Sequence, residues 1–172
     1  HAENMSRAWK TAVRYVYNGI DTQFYRNNGQ PRGERYCWVA RYTMEKDPLS
    51  IISLAQKLKV GVDLYGDTRI VGDQGYVKTA FSRVDGYFAK AFPGIIREAT
   101  VEVYSRAKGF LFLPAWEEMF GLTVVESMAC GCVPIVGRRG AMPELVRDGI
   151  TGFLVDDASQ MEELLKRDAV KE

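Results

Sequence analysis

Residues 114–134 read PAWEEMFGLTVVESMACGCVP. They leave an apolar strand, pass an acidic turn and enter a helix that opens at Gly121. Glu118 and Glu126 bracket that opening with seven residues between them. A helix turns about 100° per residue, so that spacing inside one helix would set the two carboxylates roughly 80° apart. The spacing makes more sense with Glu118 on the loop, Glu126 in the helix and bare backbone N–H groups between them. A helix start with a glycine for close approach is an anion site. Carboxylates on either side of it would each accept hydrogen bonds from paired hydroxyls. Sugar, diphosphate and ribose occur in that order in a nucleotide-sugar.

Working outward, apolar runs and amphipathic segments alternate. Strands are predicted over residues 13–17, 36–40, 60–65, 87–92, 110–113, 133–136 and 152–155. The FLFL run at 110–113 is too apolar for an edge strand. Helices are predicted between most of them. Asp47 caps one, with Pro48 at its first position and Leu49, Ile51, Ile52, Leu54, Ala55 and Leu58 on its apolar face. A weaker amphipathic helix covers 73–84. Another covers 95–107, with Ile96, Ala99, Val103 and Ala107 at helical spacing. A short one covers 143–146, and Ser159 caps the last. Residues 2–11 read as the tail of a helix begun earlier, and the polar residues 21–34 as a loop. The alternation predicts one α/β domain, a doubly wound parallel sheet of Rossmann-like type. Ligands in such sheets sit beyond the carboxyl ends of the strands. That directs attention to Asn18-Gly19, Arg41, Gly66-Asp67, Phe92-Pro93, residues 114–121 and residues 137–140.

Composition narrows the function. The 172 residues are 47% hydrophobic and 26% charged, with a net charge of +1. That balance suits a soluble domain and gives no reason to expect nucleic acid. No apolar run approaches the length of a membrane span, and no secretory signal is recognised. Cys37, Cys130 and Cys132 form a sparse, odd set that suits a reducing cytoplasm. The only histidine is His1, which leaves no histidine base within the domain. Cys130 and Cys132 have no second pair to complete a metal site. They read as small buried residues at a helix-to-strand turn, and Asp156-Asp157 reads as a strand-end turn.

The motifs taken together resemble a known family. EEMFGLTVVESMACGCVPI followed by PELVRDGITGFLV is similar to the signature of nucleotide-sugar glycosyltransferases of sequence family 4, which have the GT-B fold. YNGID at 17–21 resembles that family's Asn-Gly-x-Asp motif. VARYTMEK at 39–46 resembles its strand-end Gly-Arg…Glu-Lys-Gly motif, with arginine and lysine five residues apart. Four motifs in family order carry far more than one E-x7-E. Two positions depart from the pattern, Ala40 and Asp47, each where the family usually has glycine. No family motif falls between 67 and 84. Members are roughly twice this length. The resemblance therefore implies the C-terminal, donor-binding half of a GT-B fold, with the acceptor held by an N-terminal domain that is absent here.

The roles that follow are those the resemblance implies. Arg41 and Lys46, which on residue type alone read as solvated charges flanking a strand, would grip the donor diphosphate. Such cations beside a helix start neutralise a leaving diphosphate without a metal. Glu126 would accept from the ribose hydroxyls and Glu118, rather than its neighbour Glu117, would contact sugar hydroxyls. Phe120, Gly121, Leu122 and Thr123 would form the donor loop, the last three offering backbone N–H groups. Phe92 and Pro93 would cradle the base through backbone atoms. Arg138 and Arg139 read equally as phosphate ligands and as solvated charges. The implied activity is transfer from a nucleoside-diphosphate sugar with retention, to a glycan, lipid-linked or small-molecule acceptor. No cofactor or metal is expected, and membrane contact only through the absent half. The alternatives are another GT-B enzyme, such as a phosphorylase or sugar-nucleotide epimerase, and a non-catalytic nucleotide-sugar sensor.

Overall fold

The most apolar strand, β4 (Phe110–Phe112), runs through the middle of a six-stranded, all-parallel sheet. The protein is seen in a computed structural model that describes residues 16–69 and 74–167. Beside β4 lies β1 (Tyr36–Val39), whose four residues are all buried. Strands covered on both faces must be apolar throughout, and these two are. Outward from β1 come β2 (Val62–Gly66) and β3 (Ala89–Pro93), and outward from β4 come β5 (Pro134–Gly137) and β6 (Phe153–Val155). The order is thus β3-β2-β1-β4-β5-β6. The doubly wound expectation holds, and the winding reverses between β1 and β4.

Among the described residues six helices cover the sheet: α1 (Pro48–Leu58), α2 (Gln74–Arg83), α3 (Arg97–Arg106), α4 (Leu122–Ala129), α5 (Met142–Leu145) and α6 (Ala158–Lys166). α1 packs against α2 and α6, and α3 packs against α4. The core that joins them includes Trp38, Tyr42, Tyr104, Phe110, Phe112, Ile51 and Ile135, all fully buried. Burying one such side chain contributes about 1.5–3 kcal/mol. Among the described residues, no helix is long and apolar enough to cross a membrane.

Several expectations shift. The helix expected over 2–11 lies outside the described residues, as do residues 13–15 of the first expected strand. Val16 and Tyr17 are described and carry no strand; Val16 is 94% exposed. β3 begins two residues later than expected because the Asp85 carboxylate accepts from the Tyr87 and Ala89 amides and holds a turn there. It then runs on into Pro93, which an edge strand tolerates.

The expected apolar face of α3 is met in part: Ala107 is buried and Val103 packs against the core. Thr100, Tyr104 and Ser105 are its buried residues, while Ile96 is exposed. The Tyr104 ring decides this by packing edge-on to Phe110. The last helix is capped by Asp157, not Ser159. Its carboxylate accepts from the Gln160 amide at 2.9 Å, and Gln160 Oε1 accepts in turn from the Asp156 amide at 2.8 Å. That reciprocal pattern resembles a capping box.

Gly66 sits at the end of β2 for a steric reason. A β-carbon there would fall 1.7 Å from the Ala40 carbonyl oxygen, so β1 and β2 could not close together.

Candidate functional site

The chain leaves β1 into a short 3₁₀ turn, Met44–Lys46, which hands over directly to α1. Asp47 makes the junction with φ 43° and ψ 60°, a left-handed conformation that favours glycine. Its carboxylate offsets part of that cost by capping α1, accepting from the Ser50 amide at 3.2 Å and from Ser50 Oγ at 2.5 Å. The turn places Lys46 inward, beneath the loop that leaves β4.

That second loop is tied to the first by the Ala115 amide, which donates to the Glu45 carbonyl at 2.9 Å. A third loop, after β5, clamps it from the far side. The Ala141 amide donates to the Glu118 carbonyl at 2.8 Å, and the Gly140 amide to Glu117 Oε2 at 2.5 Å. Gly140 has φ 58°, and a β-carbon on it would fall 2.1 Å from the Glu118 carbonyl oxygen. Glu117 therefore ties its loop to the one after β5, and Glu118 points into the site. The Lys46 ammonium pairs with Glu118 Oε2, and each side chain is only 11% exposed. The same ammonium lies 5.0 Å from the centroid of the Trp116 ring and 5.8 Å from that of Phe112.

Gly121 turns the chain into α4 with φ 90°. No side chain caps this helix. The first amides with carbonyl partners are those of Val124 and Val125, both donating to the Gly121 oxygen. The Leu122 and Thr123 amides thus face outward in the manner of every uncapped helix start. Arg41, Lys46, Glu118, Phe120, Gly121, Leu122 and Thr123 all line one cleft of about 340 Å³, together with Asn18 and Met119. Arg41 is exposed there, and among the described residues it makes no ion pair. One free cation and an uncapped helix start therefore sit beside one neutralised cation–carboxylate pair.

Glu126 lies one and a half turns along α4, outside the lining of that cleft. It is half-buried, and Tyr104 Oη donates to its Oε2 at 3.4 Å. Tyr25 is a second hydroxyl partner, and Arg97 adds the pull of its charge. Burial raises the Glu126 carboxyl above its ordinary value, against the opposing pull of those three groups. Burial also pushes the Tyr25 and Tyr104 phenols up, so both remain protonated donors. The Arg97 guanidinium lies 4.4 Å above the Phe24 ring and 5.5 Å from that of Tyr25.

Phe92 and Pro93 stand apart at the outer end of the sheet. The Phe92 ring stacks on Tyr65 with centroids 4.7 Å apart, and its carbonyl accepts from Tyr42 Oη at 3.3 Å. Pro93 lines a separate cleft of about 580 Å³ with Asp67, Arg69, Gly94 and Ile96. Arg138 is taken up by Asp148 and Asp156, both at 3.0 Å, and Arg139 donates to the Ala115 carbonyl at 3.0 Å. Both arginines are structural in this state. Cys37, Cys130 and Cys132 are buried free thiols, and burial pushes Cys130 up to about 11.

Sequence reasoning did not single out Tyr25, Arg97, Tyr104 or Trp116. A half-buried carboxylate called for a hydroxyl or cation partner, but its partners lie 22 or more residues away, with no local signal to mark them.

The chain is similar to known proteins in sequence and in fold. The family described as "Glycosyl transferases group 1" matches residues 21–167. A D-inositol 3-phosphate glycosyltransferase of Mycobacterium sp. strain JLS is 32% identical over 89% of this chain, which spans 38% of that protein. A glycosyltransferase from Rickettsia africae superposes with a TM-score of 0.84 at 15% identity, over 97% of this chain and 50% of its own. Anabaena HepE, solved with UDP and glucose, superposes with a TM-score of 0.79 at 22% identity, over 91% of this chain and 47% of its own. The fold is that of the matching domain in these glycosyltransferase structures, and the chain spans half or less of each protein named. By its sequence from residue 21 to residue 167, this chain belongs to the group 1 glycosyl transferases.

Proposed function

We propose that this chain is the donor-binding domain of a retaining, metal-independent hexosyltransferase of the family 4 type. It binds a nucleoside-diphosphate sugar, and an N-terminal domain supplies the acceptor. One observation carries the reading: at the reversal of the sheet, an unpaired arginine, a paired lysine and glutamate, and an uncapped helix start share one cleft. Anions bind at such crevices in doubly wound folds. Anabaena HepE, solved with UDP and glucose and also with UDP-glucose, supports a donor of this class.

In this reading Arg41, Lys46 and the Leu122 and Thr123 amides take the diphosphate. Glu118 takes sugar hydroxyls, Glu126 the ribose, and the Phe92-Pro93 edge the base. These groups stabilise negative charge on the departing diphosphate, which is where charge develops in glycosyl transfer. Glu118 and Glu126 both have binding roles, so no covalent nucleophile is assigned. Displacement on the face the diphosphate leaves accounts for retention. The protein works in the cytoplasm, and any membrane contact comes through the acceptor half.

A thermal-shift panel of nucleoside diphosphates and their sugar esters tests the donor site. A rise in Tm with at least one base is the expected result, and no rise with any would sink the reading. Anomeric retention by the two-domain enzyme tests the chemistry, and an inverted product would end that claim. Turnover abolished in Arg41→Ala and Glu126→Ala separates an enzyme from a sensor.

A further inference from the structure

We infer that Glu118 lets this site distinguish an intact nucleoside-diphosphate sugar from the nucleoside diphosphate left after transfer, by competing with the diphosphate for Lys46. The inference rests on the donor-site reading above. The two cations of the cleft are not equivalent. Arg41 is exposed and makes no ion pair among the described residues, so it and the uncapped start of α4 meet an incoming diphosphate at no internal cost. Lys46 is already taken. Its ammonium is held by Glu118 between the rings of Trp116 and Phe112, with little water around either charge.

Glu118 is not free to retreat when the pair opens. Its carbonyl accepts from the Ala141 amide, and Gly140 lies directly against its backbone. Among the described residues Lys46 is its one side-chain hydrogen-bond partner. A diphosphate that recruits Lys46 therefore strands a poorly hydrated carboxylate, and an unpartnered charge of that kind is strongly unfavourable. A nucleoside diphosphate alone brings no hydroxyl to that position. The sugar of an intact donor does, and hydrogen bonds to a carboxylate are the strong kind. The cost of opening the pair is thus offset only while the sugar is attached. Once the glycosyl unit has left, Glu118 regains Lys46 and the diphosphate is held by Arg41 and the helix start alone.

Isothermal titration of this chain with UDP, ADP and GDP, each beside its glucose, mannose and N-acetylglucosamine esters, tests this. For the base that is accepted, at least one ester is expected to bind roughly tenfold or more tighter than the free diphosphate, the worth of one hydrogen bond to a charged group. Glu118→Gln keeps the size of the side chain and the backbone clamp. It is expected to raise affinity for the free diphosphate roughly tenfold and to shrink the advantage of the sugar ester to under about threefold. Diphosphate and every ester binding equally in the wild type would overturn the inference while leaving the donor site standing. So would weaker diphosphate binding by a Glu118→Gln protein whose circular dichroism matches the wild type. If that variant does not fold, the wild-type comparison alone decides. No binding by any ligand would overturn the donor-site reading itself.

Discussion

Glu118 and Glu126 are the same side chain, eight positions apart, placed in opposite kinds of surroundings. Glu118 sits on a loop clamped from two sides and is neutralised by a buried ammonium. Glu126 sits on a regular helix and is met chiefly by neutral phenols, with the charge of Arg97 beyond them and burial raising its carboxyl. A carboxylate balanced by a charge is tied to its partner, and removing either leaves an orphan. A carboxylate balanced by hydroxyls is merely accommodated. The first arrangement suits a group that must be released by a ligand. The second suits a standing acceptor for further hydroxyls.

The largest effect expected from this contrast is on stability. Glu118→Ala should cost about 3 kcal/mol in urea unfolding, because it strands Lys46 among aromatic rings. Glu126→Ala should cost less than about 1 kcal/mol. Equal costs would erase the contrast. Lys46→Met combined with Glu118→Leu should recover most of the loss, within about 1 kcal/mol of wild type, since an apolar pair of similar size substitutes well for a buried ion pair. A double-mutant cycle measures it.

Next in size, Tyr104→Phe should cost about 0.5–1 kcal/mol and move the Glu126 carboxyl higher still, because the lost hydroxyl had been pulling it down. Tyr25→Phe should act in the same direction. Carboxyl carbon shifts followed by NMR titration report this, and a fall would contradict the assigned partners.

The smallest effect concerns pH. The folded state raises the Glu126 carboxyl above 4.5, so the native protein holds that proton more tightly than the unfolded chain. The carboxylate's penalty is therefore fully present above the folded value. It fades as pH falls through that value toward 4.5. Glu126→Gln should raise Tm at pH 7 by under about 3 °C, and the gain should vanish near pH 4. A gain that grows in acid would reverse the sign argued here.

Much of this was legible in the sequence, for identifiable reasons. The apolar runs at β1 and β4 announced buried parallel strands, and Asp47-Pro48 announced the start of α1 by local chemistry alone. Gly121 and the spacing of the two glutamates marked the helix start. Arg41, Lys46 and both glutamates were expected to share a mouth; Arg41, Lys46 and Glu118 line one cleft, and Glu126 lies outside its lining. Three things were hidden. The left-handed backbone at Asp47 is a property of φ, not of residue type, although the family's glycine at that position now has a physical explanation. The Lys46–Glu118 pair joins residues 72 apart in sequence. The buried face of α3 is centred where Tyr104 finds Phe110 and Glu126, so of Ile96, Ala99, Val103 and Ala107 the spacing placed Val103 and Ala107 against the core but not Ile96.

The hydrogen bonds between the Ala115 amide and the Glu45 carbonyl, and between the Ala141 amide and the Glu118 carbonyl, bear on how such a domain can be re-engineered. They fasten three separate loops into one rim. A chimera that imports only the loop at residues 114–121 from a relative would meet a foreign partner on each flank. Segments 41–47, 114–121 and 137–141 are accordingly the smallest graft expected to move this rim intact from one scaffold to another.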